Sequence, residues 1–253
     1  MLAYGGDLSD SIEQLKAAGL PRHVAIILDG NGRWALQRDL SRAEGHIAGA
    51  KAVERLIRFA GSELGLEYLT LFAFSAENWD RPKQEVDALM ALLKQFALEK
   101  LPELQEAGIR VRIVGDLSCF PKDTRKAVEH VIAETQHGNR LNLTIALNYG
   151  SQQEIVHACR KIVRAVNSGE LTEGEINRIA FAANLYTAGI PDPDLVIRTS
   201  GEQRMSNFLL WQAAYAELAF PETLWPDFTP EEFMKILKEY QTRDRRFGTV
   251  EGE

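Results

Sequence analysis

Asp29-Gly30-Asn31-Gly32-Arg33-Trp34-Ala35 is the stretch of this 253-residue chain whose residue types and order could do the most chemistry. It follows the apolar run HVAIIL at 23–28 and so reads as the turn from a strand into a helix. Glycines there let successive backbone N–H groups face one anion, the helix start adds partial positive charge, and Arg33 adds a full one. The pattern fits a phosphate cradle, although glycines after a strand serve equally in a plain turn. Gly30-x-Gly32-x-x-Ala35 also matches a dinucleotide fingerprint, which needs an acidic residue about 20 positions on at the next strand end. Here the next strand ends near Phe74, and Glu54 lies within a helical pattern. Asp29 would repel a bare pyrophosphate unless a divalent cation joined the two, so the segment favours a metal-bound diphosphate over NAD.

Three further places carry candidate groups. Ser75-Ala76-Glu77-Asn78-Trp79-Asp80-Arg81-Pro82 mixes hydroxyl, amide, indole and guanidinium groups that could orient a polar head group. Ser75 or Asn78 could as readily cap the following helix. Arg198-Thr199-Ser200-Gly201-Glu202-Gln203-Arg204-Met205-Ser206-Asn207 puts two arginines and several hydroxyls after a strand, which suggests a second phosphate site or an ion-paired loop. Arg42 and His46 flank Gly45 in a segment expected to be mobile, and Glu217 in AYAEL is ordinary by spacing.

The elements that must position these groups are legible as alternating patterns. Apolar runs at 23–28, 68–74, 110–114, 141–147 and 194–198 read as buried strands, and 48–65 and 85–101 have helical spacing. Pro102 is expected to kink or end the second helix, and Gly108 to turn the chain into the next strand. Alternation of this kind predicts an α/β fold with a mostly parallel central sheet flanked by helices, its ligands beyond the carboxyl ends of the strands. One domain over 1–253 is expected, with a short N-terminal extension to about residue 20 and a C-terminal tail from about 241.

Composition bounds the partners. With 29 basic against 36 acidic residues and a formal charge of -7, a general nucleic-acid or anionic-membrane surface is not expected, so any anion site must be local. Cys119 and Cys159 have no metal-ligand spacing, which argues against a disulfide framework or zinc site and suits a reducing cytoplasm. No apolar run approaches the roughly 18 residues of a spanning helix, and the start lacks the pattern of an export signal, so the expectation is a cytoplasmic protein.

The blocks HVAIILDGNGRWA, RAEGH, LFAFSAENWDRP, LNYG, DLVIRTSGEQRMSNFLLWQ and AYAEL followed by WPDF resemble the cis-prenyltransferase family in order and approximate spacing, from about His23 to Gly248. Trans-prenyltransferases use paired aspartate-rich motifs, and this sequence has no adjacent Asp-Asp pair. The resemblance implies condensation of isopentenyl diphosphate with an allylic diphosphate such as farnesyl diphosphate. An apolar tunnel would hold the growing chain. It makes Asp29 the essential magnesium and diphosphate residue, with Gly30, Asn31, Gly32, Arg33 and Arg42 around the allylic diphosphate and Trp34 and His46 beside it. Ser75, Ala76, Glu77, Asn78, Trp79 and Arg81 match positions around the reacting ends, Asn78 at one proposed to assist proton removal, although a neutral amide is a poor base. Arg198, Arg204, Met205 and Ser206 match the isopentenyl diphosphate site, and Glu217 a second magnesium-associated carboxylate.

By the same resemblance Arg246 and Gly248 reach the neighbouring subunit's site, which implies a homodimer with Mg2+ as cofactor, no nucleic-acid partner and at most transient membrane contact for product release. Val86, Leu89, Met90, Leu93 and Phe96 would line the tunnel, although their spacing alone suits ordinary core packing. Ala73 and Leu141 are placed along it. Gln152 departs from the arginine common at its position. A non-catalytic regulatory subunit of the same fold is the alternative from another class. Its signature, loss of Asp29 or the phosphate arginines, is absent.

Overall fold

The structure is a computed structural model that describes residues 6–243. After helix α1 (Gly6–Ala17), strands β1 (His23–Ile27), β2 (Tyr68–Ser75), β3 (Ile109–Val114), β4 (Leu141–Tyr149), β5 (Leu195–Arg198) and β6 (Glu217–Ala219) form one sheet. The strand order is β3-β4-β2-β1-β5-β6 and every pairing is parallel. Helices α2 (Asn31–Leu36), α3 (Arg42–Arg58), α4 (Lys83–Glu106), α5 (Lys122–Thr135), α6 (Ser151–Asn167), α7 (Arg178–Ala182) and α8 (Pro230–Gln241) complete the fold.

β1 is buried along its whole length because both faces are covered, which is why it reads as a continuous apolar run rather than an alternation. Val24 and Ile26 face a core built with α1, α3 and α8, whereas Ala25 and Ile27 pack on the other side against Phe72, Tyr149, Phe208 and Leu209. A third cluster joins Phe74 and Leu147 to Val86 and Met90 of α4 and Phe120 and Val128 beside and on α5.

Three details differ from the sequence reading. Arg42 and His46, expected between elements, lie on α3: Ser41 and Glu44 form a reciprocal cap, with the Glu44 carboxylate 2.8 Å from the Ser41 N–H. That cap fixes the helix start. The helix predicted from 48 therefore begins earlier, and it continues as a π-helical turn over Phe59–Leu64. Pro102 does not end α4, which runs on to Glu106. The proline forfeits one late backbone bond, while Leu101 and Leu104 on either side of it pack onto the core and hold the last turn. The sixth strand, β6, is only three residues long and shows no periodicity of its own.

Candidate active site

β1 and β5 pair with Ile27 opposite Arg198, and from them the chain builds outward in opposite directions across the sheet. Such a reversal opens a crevice beyond the strand ends, the usual ligand position of open α/β sheets. Asp29 and Arg198 meet there. Arg198 donates from Nη2 to Asp29 Oδ2 at 2.7 Å and from Nε to the same oxygen at 3.2 Å. Thr199 fixes the backbone beneath them, its Oγ1 accepting the Asp29 N–H at 3.0 Å and donating to the Asp29 carbonyl at 2.6 Å.

Gly30 turns the chain from β1 into α2 with φ of 113°, a conformation that strains any side chain, and a Cβ there would stand 3.0 Å from Leu224. Arg33 donates to Ser200 Oγ at 2.6 Å and approaches Glu202 at 3.2 Å and Asp29 Oδ1 at 3.8 Å. Arg42 arrives from α3 above Gly32, its Nη1 3.8 Å from where a Cβ would be. α3 can lie this close because Gly49 has no side chain; a Cβ would meet Asn31 Oδ1 at 2.3 Å. Trp34 borders the cradle, its indole N–H donating to Asp227 at 2.7 Å under the Arg38 guanidinium.

β2 carries a register irregularity at Ala73 and ends in a 3-10 turn over Ala76–Asp80. Asn78 Oδ1 accepts the Ser75 N–H at 3.1 Å, so the amide caps this turn and borders the cavity at once. Trp79 packs edge-on against Phe74 and donates to Asn148 at 2.9 Å. The Glu77 carboxyl is held below its ordinary range: burial pushes it up, but hydrogen bonds from Asn207, Ser75 and Gln153 outweigh this. After β5, Arg198 Nη1 donates to the Arg204 carbonyl at 2.6 Å and to Ser206 Oγ at 2.7 Å. Arg204 pairs with Glu202, and Met205 packs against the Phe72 and Phe208 cluster.

Glu85 is a residue the sequence reading missed. From the first turn of α4 it gathers Arg81 at 3.0 Å, His46 at 3.4 Å and Arg42 at 3.8 Å. The only local signal was its spacing of four from Arg81. Burial chiefly lowers the His46 pKa, with Arg81 and Arg42 adding to it and Glu85 opposing.

These loops surround one cavity of about 410 Å³. Asp29, Asn31, His46, Asn78, Arg81 and Arg198 lie at its polar end, with Ser75 and Ser206. Its other walls are apolar: Ile57 of α3, Leu89, Met90, Leu93 and Phe96 of α4, Leu143, Ile145 and Leu147 of β4, and Ala73. Val86 belongs to the neighbouring core cluster instead. Leu141 is fully buried two residues before Leu143 on the same face of β4 and packs against Gly61.

One expected group is not assembled here. Glu217 pairs in register with Leu195, roughly 10 Å back along the sheet from the level of Arg198 at about 3.3 Å per residue, and bonds to Arg243 at 2.8 Å. Arg246 and Gly248 lie outside the described residues. Gln152 is exposed, and its backbone N–H is bonded by Asn207.

A magnesium ion suits this donor set. Among the described residues no three His, Cys, Asp or Glu side chains converge, and Asp29 leaves Oδ1 outside its bonds to Arg198. Magnesium is commonly held by one or two carboxylates together with substrate phosphate and water. Asn31 Oδ1 is buried and unpartnered but packs toward Gly49 of α3, so the donor offered at this turn is Asp29.

An apolar cavity whose polar end holds Asp29, Arg81 and Arg198, on an all-parallel sheet, fits a transferase of the cis-prenyl class. Residues 27–248 match the prenyltransferase family described as undecaprenyl diphosphate synthase, and the chain belongs to that family of isoprenyl transferases. It is 50% identical to an isoprenyl transferase of Geobacter sulfurreducens, over 92% of this chain and 95% of the relative. It is 47% identical to a (2E,6E)-farnesyl-diphosphate specific ditrans,polycis-undecaprenyl-diphosphate synthase of Micrococcus luteus, over 92% and 94%. The crystal structure of lavandulyl diphosphate synthase from Lavandula x intermedia, in complex with dimethylallyl diphosphate, superposes with a TM-score of 0.88 at 36% identity, covering 91% of this chain and 99% of that one. No helix among the described residues is long and apolar enough to cross a membrane.

Proposed function

We propose that this enzyme extends farnesyl diphosphate with successive isopentenyl units to a long polyprenyl diphosphate, using Mg2+ and acting as a homodimer. The observation that carries this reading is one cavity whose polar end, with Asp29, Asn31, Arg81 and Arg198, runs on into apolar walls. The cradle of Gly30 to Arg33, with Arg42, takes the allylic diphosphate and leaves its hydrocarbon tail directed into the tunnel. Arg198, Arg204 and Ser206 take isopentenyl diphosphate. Asp29 stands between the two groups of cations and, with diphosphate oxygens, would hold magnesium. When bound, the metal supplies charge neutralisation for a departing diphosphate.

Arg33, held by Ser200, and the more exposed Arg42 stabilise negative charge on the leaving diphosphate as the allylic C–O bond breaks. The isopentenyl double bond supplies the electrons for the new C–C bond, and a proton then leaves the adjacent carbon. Asn78 borders the cavity but spends its oxygen on the Ser75 N–H. We assign it the orientation of the turn and leave the proton to a diphosphate oxygen.

The homodimer reading rests on a run of exposed apolar side chains: Val156 and Val163 of α6, Ile179 of α7, then Leu210, Tyr215 and Leu218 toward the β6 edge. Ile179 is the most exposed of them, at 82%. Incubating the purified full chain with labelled isopentenyl diphosphate and primers of several lengths, with and without EDTA, tests the whole reading. Metal-dependent growth of farnesyl diphosphate into long products is expected. No elongation of any primer, or elongation undiminished by EDTA, overturns it.

A further inference from the structure

Asn207 follows the arginine loop directly. Its φ is 62°, and Ser206 and Leu209 both stand at 45°. Side chains other than glycine rarely adopt this region, and asparagine tolerates it better than most. Its polar atoms explain why the conformation persists. The Asn207 carbonyl accepts the Ser151 N–H at 2.8 Å, and Oδ1 accepts the Gln152 N–H at 2.8 Å. Together they cap α6, whose own cap position is Gly150 and offers no side chain. Nδ2 uses both hydrogens, one on Gln153 Oε1 at 2.9 Å and one on Glu77 Oε1 at 2.9 Å. Ser151 Oγ completes the link by accepting the Leu210 N–H at 3.0 Å.

The helix it grips is firmly seated. Glu154, one turn into α6 and buried, accepts from the Tyr149 hydroxyl at 2.6 Å, the Tyr186 N–H at 2.7 Å and Gln212 at 3.0 Å. Each side of Asn207 leads to one loop at the polar end of the cavity. Ser206, just before it, holds Arg198, and Glu77, across the hydrogen bond, precedes Asn78.

We propose that Asn207 is a positioning residue that sets the spacing between the isopentenyl diphosphate loop after β5 and the β2 exit loop at the reacting ends, tying the two through Glu77 and fixing both to the start of α6. The proposal rests on the functional reading above. Asn207→Asp is the informative change. It keeps the oxygen that caps Gln152 and tolerates the same backbone, but it turns the contact with Glu77 from attraction to repulsion and, when Gln153 rotates its amide to meet the new carboxylate, also takes the Gln153 donor from Glu77.

Steady-state kinetics of the full chain should show Asn207→Asp losing about tenfold in kcat/KM for isopentenyl diphosphate, mostly through KM, the scale of one hydrogen bond to a charged group. The melting temperature should barely move. Adding Glu77→Gln to that variant restores a donor facing Asp at 207 and should recover most of the loss. Asn207→Gly, which accepts the same φ but removes the amide, should lose melting temperature and isopentenyl diphosphate KM together, with no rescue by Glu77→Gln. The inference is overturned if wild type elongates primer and Asn207→Asp keeps the wild-type KM, or if its loss is the same whether residue 77 is Glu or Gln. Should Asn207→Asp not fold, an unchanged isopentenyl diphosphate KM in Asn207→Gly overturns it instead. Wild type that elongates nothing would fail the functional reading and leave the loop coupling to be judged by whether Asn207→Asp alters isopentenyl diphosphate binding measured by calorimetry.

Discussion

At the scale of single residues the site is a contest among charges. Arg198 is almost fully buried and spends its donors on Asp29, Ser206 and the Arg204 carbonyl, whereas Arg204 is largely exposed beside Glu202. Asp29→Ala should lower turnover by roughly a hundredfold or more, the scale of losing a key electrostatic group, with the chain still folded by circular dichroism. Undiminished primer elongation by that variant would remove Asp29 from the chemistry. Replacing Arg198 or Arg204 with Ala should chiefly weaken use of isopentenyl diphosphate, through charge-assisted bonds worth about 1.5–3 kcal/mol each. Weakened primer binding alone would reverse the assignment of the two sites. Asp29 and Arg198 were legible because each sits directly at the end of an apolar run. Glu85 was not, because two of its partners, Arg42 and His46, come from α3 and only Arg81 is near it in the chain, so nothing local marks their convergence.

At the scale of elements the tunnel is the space between the sheet and α3 and α4. Each added five-carbon unit buries apolar groups worth about 4 kcal/mol at ~0.8 kcal/mol per methylene, so growth inside the tunnel is favourable until a wall stops it. Ala73 lies at the irregularity of β2 and is open to the cavity, so Ala73→Leu should shorten the products. Leu141→Ala should lengthen them by opening the buried space below Leu143, at a stability cost of about 2–5 kcal/mol for the cavity left behind. Mass analysis of the products decides, and unchanged lengths in both variants would show that neither position forms the limiting wall. Here helical spacing alone could not separate tunnel lining from core. Val86 and Met90 are both buried on α4, yet only Met90 reaches the cavity.

At the scale of the whole molecule, the exposed apolar run over α6, α7 and the β6 edge predicts self-association. Changing Val163 and Ile179 together to Glu should shift sedimentation toward monomer and reduce activity; an active, strictly monomeric wild type would remove the dimer from the account. Deleting residues from Arg245 onward should reduce elongation without unfolding the domain, and full activity after truncation would rule out a role for the tail. pH reports on the sheet itself. His23 is buried between the Pro191 carbonyl and Thr70, each 2.7 Å away, and burial lowers its pKa to about 4 despite the Pro191 bond. The unfolded chain therefore takes up this proton first. The contribution of neutral His23 is complete above about pH 6.5 and is lost as the pH falls toward 4, about 3 kcal/mol in all. Urea unfolding at pH 7 and pH 4.5 should show a smaller pH loss in His23→Gln than in wild type, and equal losses would refute the assignment.

The sequence by itself determined the alternation of strand and helix, the parallel sheet and the loops that carry anion-binding groups, because those depend on local period and on residues adjacent in the chain. The sixth strand escaped it, since three residues of β6 form a strand only by pairing with β5. So did the running on of α4 past Pro102, where packing of Leu101 and Leu104 outweighs one lost backbone bond. Tertiary structure alone decided that Asp29 pairs with Arg198 across 169 residues, that Glu217 stands away from both, and that Asn207 caps a helix 55 residues earlier in the chain. Strand register and helix docking set these distances, and no local pattern encodes them.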